Sequence, residues 1–305
     1  MPEEIVTSLV CDFTSQLAGR FLIATGIAFN GDVLAVSLDH KPQDRTANGS
    51  SPVRYVKEPH QFRINHAIDE TIFEVELEPL KENIYFVQLL PDGNYLIGGA
   101  RGVENLHVFD TKGRYQSTRN GGDAIEDIQV APDGKVWVSH FDEGYGCAGS
   151  EGLCCFSPQH EPLFDFNERV YTGNLGEVRE PIVDCYMLNV VSAQDVWLCP
   201  YVGFSLYHLH DFQLKQSYEI PDQMAGANAF AISKGRVIFT GGYHLGGQLF
   251  WHDLHSKRTV ELKPITQSGE ILKWNSARGR GSNLFLWNES AVFKLNVEDF
   301  WPSEI

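Results

Sequence analysis

The chain has 305 residues, of which 43% are hydrophobic, and 40 Asp and Glu residues against 24 Lys and Arg residues give a formal net charge of −16. Nucleic acids and anionic membranes are recognised by clustered basic groups, so this charge argues against both as partners. It suits a basic protein, a metal ion or a cationic small molecule, and it also favours solubility.

The clearest local pattern runs from residue 125 to residue 144 and reads as strand, tight turn, strand and loop. Its turn is Pro132-Asp133-Gly134, whose glycine can take a positive φ, and a β-rich run follows. Weaker copies recur along the chain, each with an apolar or aromatic residue three positions after the turn anchor. The six anchors and these partners are Gly31 and Leu34, Gly93 and Leu96, Gly134 and Trp137, Gln194 and Trp197, Gly235 and Ile238, and Gly281 and Leu284.

These anchors recur with a base period of about 41 residues and two longer insertions, which is typical of four-stranded propeller blades. We therefore predict an all-β, six-bladed β-propeller that forms one domain over residues 1–305. Its blades are expected at roughly 20–80, 84–118, 125–167, 183–220, 226–262 and 271–296. Unrelated hairpins in a β-sandwich are the alternative explanation of the same pattern.

Two blades depart from the regular pattern. In blade one, residues 39–65 are rich in Lys, Pro, Asp, Asn and Ser and are predicted to be a loop. Blade six offers three convincing strands, at Ile271–Asn275, Asn283–Trp287 and Ala291–Asn296. We predict that Glu4–Asp12 supplies the fourth strand, because closing the ring with both ends of the chain removes an open sheet edge.

The innermost strand of a propeller blade starts on one face, and the second strand returns to that face, here called the top face. Seven positions before the anchors, the inner strands start at Ala24, Phe86, Asp127, Met187, Asn228 and Trp274. Six to nine positions after the anchors, the second strands end at Asp39, His40, Arg101, His140, Asp142, Glu143, Tyr201, Tyr243, His244 and Glu289. From this polar rim, the predicted ligand-binding residues are Arg101, Asp142, Tyr201, Tyr243 and His244.

Blade three gathers Glu126, Asp127, His140, Asp142 and Glu143 at the top end of one hairpin. Carboxylates this close raise each other's pKa unless a cation offsets their charge. A Ca²⁺, Mg²⁺ or Mn²⁺ ion could supply that charge, because these ions prefer oxygen ligands. An arginine from the adjacent blade is a second source, and a structural network of loop amides is a third explanation.

The repeated strands resemble those of six-bladed propellers related to gluconolactonases, regucalcin and the NHL-repeat proteins. The resemblance rests on Gly26-Ile27-Ala28-Phe29, Pro91-Asp92-Gly93, Pro132-Asp133-Gly134-Lys135-Val136-Trp137-Val138 and Asn228-Ala229-Phe230-Ala231-Ile232. The lactonase branch holds a divalent ion through acids and amides from separate blades. By this resemblance Asp127 and Asn228 would be metal ligands with Glu126 or Asp184 added, whereas Ala24, Met187 and Trp274 depart from a full ligand ring.

Two functions follow from this site. In the first, the top face binds a polar small molecule or a basic partner protein. In the second, it is a metal-dependent hydrolase or lyase in which Glu126, Asp127, Asp184 and Asn228 hold the ion, and His140 or Glu143 moves the proton. A scaffold that uses the sides of the ring is a third reading.

The sequence also predicts a cytoplasmic protein. The first residues lack a basic region, and no apolar run approaches the ~18 residues of a membrane span. The six cysteines form no Cys-x-x-Cys motif, so we expect reduced and mostly buried thiols. They are Cys11, Cys147, Cys154, Cys155, Cys185 and Cys199.

Overall fold

The structure, a computed structural model, describes residues 2–41, 58–144, 152–178, 180–201 and 205–302. Its first ten strands are β1 (Glu3–Val6), β2 (Ser8–Asp12), β3 (Phe21–Ile27), β4 (Val33–Leu38), β5 (Arg63–Ile68), β6 (Thr71–Glu76), β7 (Phe86–Leu89), β8 (Tyr95–Gly98), β9 (Leu106–Phe109) and β10 (Tyr115–Arg119). The next eight are β11 (Ile125–Val130), β12 (Val136–His140), β13 (Leu153–Phe156), β14 (Pro162–Asp165), β15 (Cys185–Val190), β16 (Asp195–Pro200), β17 (Ser205–His210) and β18 (Gln213–Glu219).

The remaining strands are β19 (Phe230–Ser233), β20 (Arg236–Thr240), β21 (Leu249–Asp253), β22 (Thr259–Ile265), β23 (Ser276–Arg280), β24 (Asn283–Asn288) and β25 (Ala291–Asn296). A helix, α1 (Phe166–Tyr171), follows β14 directly, and its N-cap is Asp165, whose side chain accepts a hydrogen bond from the Glu168 N–H. Single 3₁₀ turns lie at Asp142–Gly144, Asp222–Met224 and Val297–Asp299. In the described part of the chain, no helix is long and apolar enough to cross a membrane.

The strands form six sheets arranged in a ring, which confirms the predicted six-bladed propeller. Blades one to four are β3–β6, β7–β10, β11–β14 and β15–β18, each an antiparallel meander. Blade five contains β19–β22, and blade six contains β23–β25. The innermost strands β3, β7, β11, β15, β19 and β23 contact their neighbours in this order, and β23 returns to β3 to close the circle.

The N-terminus closes the ring, as predicted, but it does so with two strands. Strand β2 pairs antiparallel with β25 and completes blade six. Strand β1 pairs parallel with β22 and adds a fifth strand to blade five. Between them Thr7 is fully buried, and its N–H and hydroxyl both donate to the carbonyl oxygen of Ile265, at 2.8 and 2.9 Å. The chain start therefore joins two blades.

Two strand predictions were wrong. The inner strand of blade six is β23, whereas most of the predicted segment Ile271–Asn275 is irregular. In blade one the predicted loop ends earlier than expected, because β5 begins at Arg63. The central part of that loop, residues 42–57, lies outside the described residues.

The repeated sequence pattern matches the packing of all six blades. The anchor glycines take positive φ, for example 84° at Gly134. The residue three positions later is at most 9% exposed in every blade, so it lies in the layer between neighbouring sheets. Trp137 shows the pattern: it is 2% exposed and packs in one apolar cluster with Leu188 and Leu198 of blade four. Hydrophobic burial between blades therefore stabilises the ring.

Polar side chains, in contrast, fill the centre of the ring. Gln129 donates through Nε2 to the Leu188 carbonyl oxygen at 2.8 Å, and Asn189 donates through Nδ2 to the Phe230 carbonyl oxygen at 2.9 Å. Arg280 donates through Nη1 to Gln129 Oε1 at 2.9 Å. We call Gln129, Asn189 and Arg280 the axial network, because they join the inner strands of blades three to six across the propeller axis.

The described cysteines are all buried and free of disulfides, as the composition predicted. Cys154 and Cys155 belong to apolar clusters on opposite sides of their sheet. Burial raises the pKa of Cys11 and of Cys199 to about 12, so both thiols stay protonated. Cys147 lies outside the described residues.

The close approach of inner strands makes one glycine testable. A Cβ at Gly279 on β23 would overlap the carbonyl oxygen of Phe230 on β19, so Gly279→Ala must push blades five and six apart. We expect a loss of roughly 1–3 kcal/mol in the free energy of unfolding, measured by urea denaturation. The matched control is Gly246→Ala, because a Cβ at Gly246 meets no atom within 4 Å. Equal stability of the two variants would contradict this packing.

Candidate functional site

Three of the six inner strands carry a β-bulge at the same level near the top face. In blade three the pairing between β11 and β12 skips Glu126, and in blade four the pairing between β15 and β16 skips Tyr186. The equivalent skipped residue in blade one is Ile23. A bulge turns the extra side chain away from the regular alternation of a strand. Glu126 and Tyr186 occupy this bulge position in adjacent blades.

Predicted acidic residues do meet at this level. Burial, followed by the charges of Asp127 and Asp184, raises the pKa of Glu126 to about 8. Burial, followed by the charge of Asp142, raises the pKa of Asp184 to about 6, and Glu143 adds to this effect. We call Glu126, Asp127, Asp142, Glu143 and Asp184 the acidic cluster. Its members come from blades three and four, and their repulsion shows that they share one region of the top face.

Arg278 on β23 is the basic partner that the sequence analysis missed. Its positive charge lowers the pKa of both Glu126 and Asp127, although burial keeps both values above normal. Arg278 and Asp127 also line one small cavity in the channel, above the axial network. The predicted ring position in blade six was Trp274, but the strand that reaches the channel begins two residues later, at Ser276.

Aromatic residues stand beside the acidic cluster. Tyr186, Tyr201 and Tyr243 form the tyrosine cluster, with ring centroids 5.4 Å apart for Tyr186 and Tyr201 and 6.4 Å apart for Tyr201 and Tyr243. The Tyr243 hydroxyl donates to the Tyr186 hydroxyl at 3.2 Å. The Tyr201 N–H donates to the Asp184 carbonyl oxygen at 2.8 Å, so the backbones of these two residues are paired. Tyr201 and Tyr243 are 43% and 47% exposed.

The other predicted rim residues lie on the surface of the top face. Arg101 and Glu143 form an exposed ion pair between blades two and three. Asp142 and Glu143 begin a 3₁₀ turn directly after β12. His244 is exposed and has a φ of 68°, in the loop that carries Tyr243. Arg101 with Glu143, and the loop that carries Tyr243 and His244, thus lie at the ends of second strands of their blades.

His140 occupies a different environment from the other predicted residues. Its side chain is completely buried, and its Nε2 donates to the Gly121 carbonyl oxygen at 2.8 Å. Burial lowers the pKa of His140, so the ring is neutral. This interior position differs from the proton-transfer role predicted for it, and it holds the connection between β10 and β11 in place.

The predicted metal ligands do not form an ion site. Asn228 is exposed, and its Oδ1 accepts a hydrogen bond from the Thr240 hydroxyl of its own blade at 3.0 Å. Across the described ranges, no group of three or more His, Cys, Asp or Glu side chains is arranged to hold a metal ion. The residues therefore do not fit the divalent ion that the resemblance to lactonases implies.

Comparisons with known proteins agree with this architecture. The model of the YxzG family matches residues 154–295, less than half of the chain. No curated protein matches the chain. A catalytically inactive virginiamycin B lyase from Staphylococcus aureus with quinupristin is 11% identical, with 95% of this chain and 98% of that chain covered and a TM-score of 0.51.

Two other solved structures are similar to the chain. The PQQ-bound aldose sugar dehydrogenase from Streptomyces coelicolor is 13% identical, with 90% and 96% of the two chains covered and a TM-score of 0.51. A gluconolactonase from Xanthomonas campestris is 11% identical, with 97% of each chain covered and a TM-score of 0.48. At these identities the likeness shows the fold alone, and the two structures with a TM-score of 0.51 agree with the predicted propeller architecture.

The raised pKa of Glu126 predicts a pH-dependent stability. The folded state keeps the Glu126 proton up to about pH 8, whereas the unfolded chain releases it near the ordinary glutamate pKa of 4.5. Below pH 4.5 both states keep the proton, so Glu126 costs no stability. The free energy of unfolding then decreases as the pH rises from 4.5 toward 8. We expect Glu126→Gln to stabilise the protein by roughly 1–3 kcal/mol at pH 9 and by much less at pH 4, measured by urea denaturation.

The control for this experiment is Glu70→Gln, which neutralises an exposed glutamate in the turn between β5 and β6. It should change stability by the same small amount at both pH values. If Glu126→Gln behaves in the same way, the carboxyl group of Glu126 is not held protonated by the fold.

Proposed function

We propose that the top face of this propeller binds a basic partner protein, and that a Lys or Arg side chain of the partner enters between the acidic cluster and the tyrosine cluster. The observation that carries the proposal is the environment of Asp184. This residue is 7% exposed, its carboxyl group is hydrogen-bonded to the Tyr186 hydroxyl, and its Oδ1 has no hydrogen-bond partner among the described residues. A buried carboxylate oxygen without a donor is unfavourable, and an incoming ammonium or guanidinium group would supply the missing donor.

The tyrosine cluster supports a cationic ligand. Aromatic faces attract ammonium and guanidinium groups, and this attraction is stronger when a carboxylate lies nearby and water is excluded. Tyr201 and Tyr243 present much of their surface to solvent at the rim. Tyrosine is also enriched among the residues that dominate binding energy in protein interfaces. The arrangement thus combines a charged centre with an aromatic rim.

The charge of the whole chain favours a protein partner. A net charge of −16 attracts a basic protein over long distances and accelerates its association, an effect that salt weakens. Asp142 and Glu143, the exposed members of the acidic cluster, and the exposed Asp39 after β4 extend this negative field outward. A small cationic molecule would use the same chemistry at the centre but would gain little from these outer acids.

The alternative from the sequence, a metal-dependent hydrolase or lyase, has less support from the structure. It requires ligands gathered around an ion, and the described residues do not assemble such a group. It also gave His140 a proton-transfer role, and this ring is buried away from the acidic cluster's exposed members. We therefore propose binding rather than this chemistry.

The proposal is tested with a ten-residue peptide rich in arginine and a matched peptide in which citrulline replaces each arginine. Citrulline keeps the shape of arginine and removes its charge. By isothermal titration calorimetry at low salt, we expect the arginine peptide to bind at least tenfold more tightly. Asp184→Asn should weaken that binding about tenfold, which corresponds to about 1.4 kcal/mol.

The matched control is Asp92→Asn, which removes one negative charge from an exposed turn on the opposite face. It should leave the affinity within about twofold of the wild-type value, since exposed charges at this distance are screened. An equal loss of affinity in the two variants would mean that the peptide responds only to the net charge of the protein, and this would contradict the proposal. Free arginine that binds as tightly as the peptide would instead identify a small-molecule site.

A further inference from the structure

A second cavity, of ≈510 Å³, opens on the bottom face of the propeller. It lies where the inner strands end, among the turns that join the first and second strands of blades one, four, five and six. Gly31, Val191, Gly235 and Gly281 mark these turns in its wall. Its size is within the range of small-molecule sites, and the axial network separates it from the top face.

Apart from one arginine, the charged side chains in the wall of this cavity have close partners in the described structure. The Lys234 ammonium lies 2.8 Å from Glu298 Oε2. Asp195 Oδ1 lies 2.8 Å from His208 Nε2 and 2.9 Å from His210 Nδ1. Burial lowers the pKa of His208, so its ring is neutral and Asp195 is hydrogen-bonded rather than neutralised. Among the described residues of the wall, the positive group without a charged partner is the guanidinium of one arginine.

That arginine is Arg280, at the end of β23, which lines the cavity and is only 6% exposed. Its Nη1 donates to Gln129 Oε1 at 2.9 Å, and its Nη2 donates to the Val130 carbonyl oxygen. Both acceptors are neutral. Asp127 acts on it through space from the top side of the axial network, but no ion pair with Arg280 forms within the described part of the chain. A guanidinium has five N–H donors, so it can bind a further acceptor.

We propose that the bottom cavity binds a small organic anion whose carboxylate or phosphate group pairs with Arg280. Arginine is well suited to this role because its planar donors match both groups. Phe29 and Phe285 also line the cavity and offer apolar surface to the rest of the ligand. Burial lowers the pKa of Arg280 to about 10, which leaves the guanidinium charged at neutral pH. The site is independent of the function proposed for the top face.

The test uses four probes in isothermal titration calorimetry with the wild-type protein: benzoate, phenyl phosphate, inorganic phosphate and neutral benzamide. Benzoate or phenyl phosphate should bind saturably and at least tenfold more tightly than benzamide. The stronger of the two identifies the anionic group that the cavity prefers. Tighter binding of phenyl phosphate than of inorganic phosphate would show that the apolar wall contributes.

Two variants locate the binding. Arg280→Met removes the charge and keeps much of the side-chain length, but it also breaks the axial network, so its fold is checked by circular dichroism. Val191→Trp fills the cavity from a 39% exposed position and leaves Arg280 unchanged. We expect each variant to weaken anion binding at least tenfold. Tyr243→Ala, on the top face, should leave it unchanged.

Three results would overturn the proposal. The first is the absence of saturable binding by any anion up to millimolar concentrations. The second is benzamide binding as tightly as benzoate, which would mean that the charge is not recognised. The third is wild-type affinity in Val191→Trp, which would place the bound anion outside this cavity.

Discussion

The structure depends on the close approach of six inner strands around one axis. At Gly279 and Gly26 the neighbouring backbone leaves no room for a Cβ, so side chains cannot fill this part of the ring. Carbonyl oxygens therefore face the axis, and they need donors because water has little access there. Gln129, Asn189 and Arg280 supply these donors, and the amide oxygens of Gln129 and Asn189 also accept N–H groups, for example from Val190 to Gln129 at 2.9 Å. Satisfying backbone groups at the axis thus joins the inner strands of blades three to six, in addition to the apolar layers between the blades.

The same constraint explains why the candidate sites lie at the two ends of the axis. The axial network borders both cavities: Gln129 lines the small cavity that Asp127 also lines, and Arg280 lines the cavity of the bottom face. Above the network, bulges direct Glu126 and Tyr186 out of the regular strand alternation. Acids from two blades share this region, where positive charge offsets only part of their repulsion. Raised pKa values are the consequence of that arrangement. A fold optimised only for stability would not keep these acids together, which is why the top face is a better candidate for function than the sides of the blades.

Much of this fold could be predicted from the sequence because the turns and the layer between blades carry strong local signals. The inner strand of blade six shows where such signals fail. The apolar segment Ile271–Asn275 looked like a strand, whereas Ser276–Arg280 is polar because it faces the axial network rather than the apolar layer. The start of this inner strand was predicted seven residues before the anchor, and this failed because the connection between the first two strands is shorter in blade six. It consists of residues 281–282, whereas in blade three it consists of residues 131–135. Arg278 was missed for both reasons. Bulges shift register without changing composition, so Tyr186 was missed as well.

The charges of Asp127 and Arg280 act on each other along the propeller axis. Asp127 lies above the axial network and Arg280 lies within it, and each shifts the pKa of the other toward its charged form. No ion pair joins these two residues in the described structure, so neither charge is fully neutralised. Each end of the channel therefore keeps the electrostatic charge of its own residues. The carboxylates above the axial network and the Arg280 guanidinium within it therefore give the two proposed sites opposite charge preferences. Replacing Arg280 would remove the positive charge that favours ionised Asp127, so the acidic cluster should hold its protons more tightly even though its own residues are unchanged.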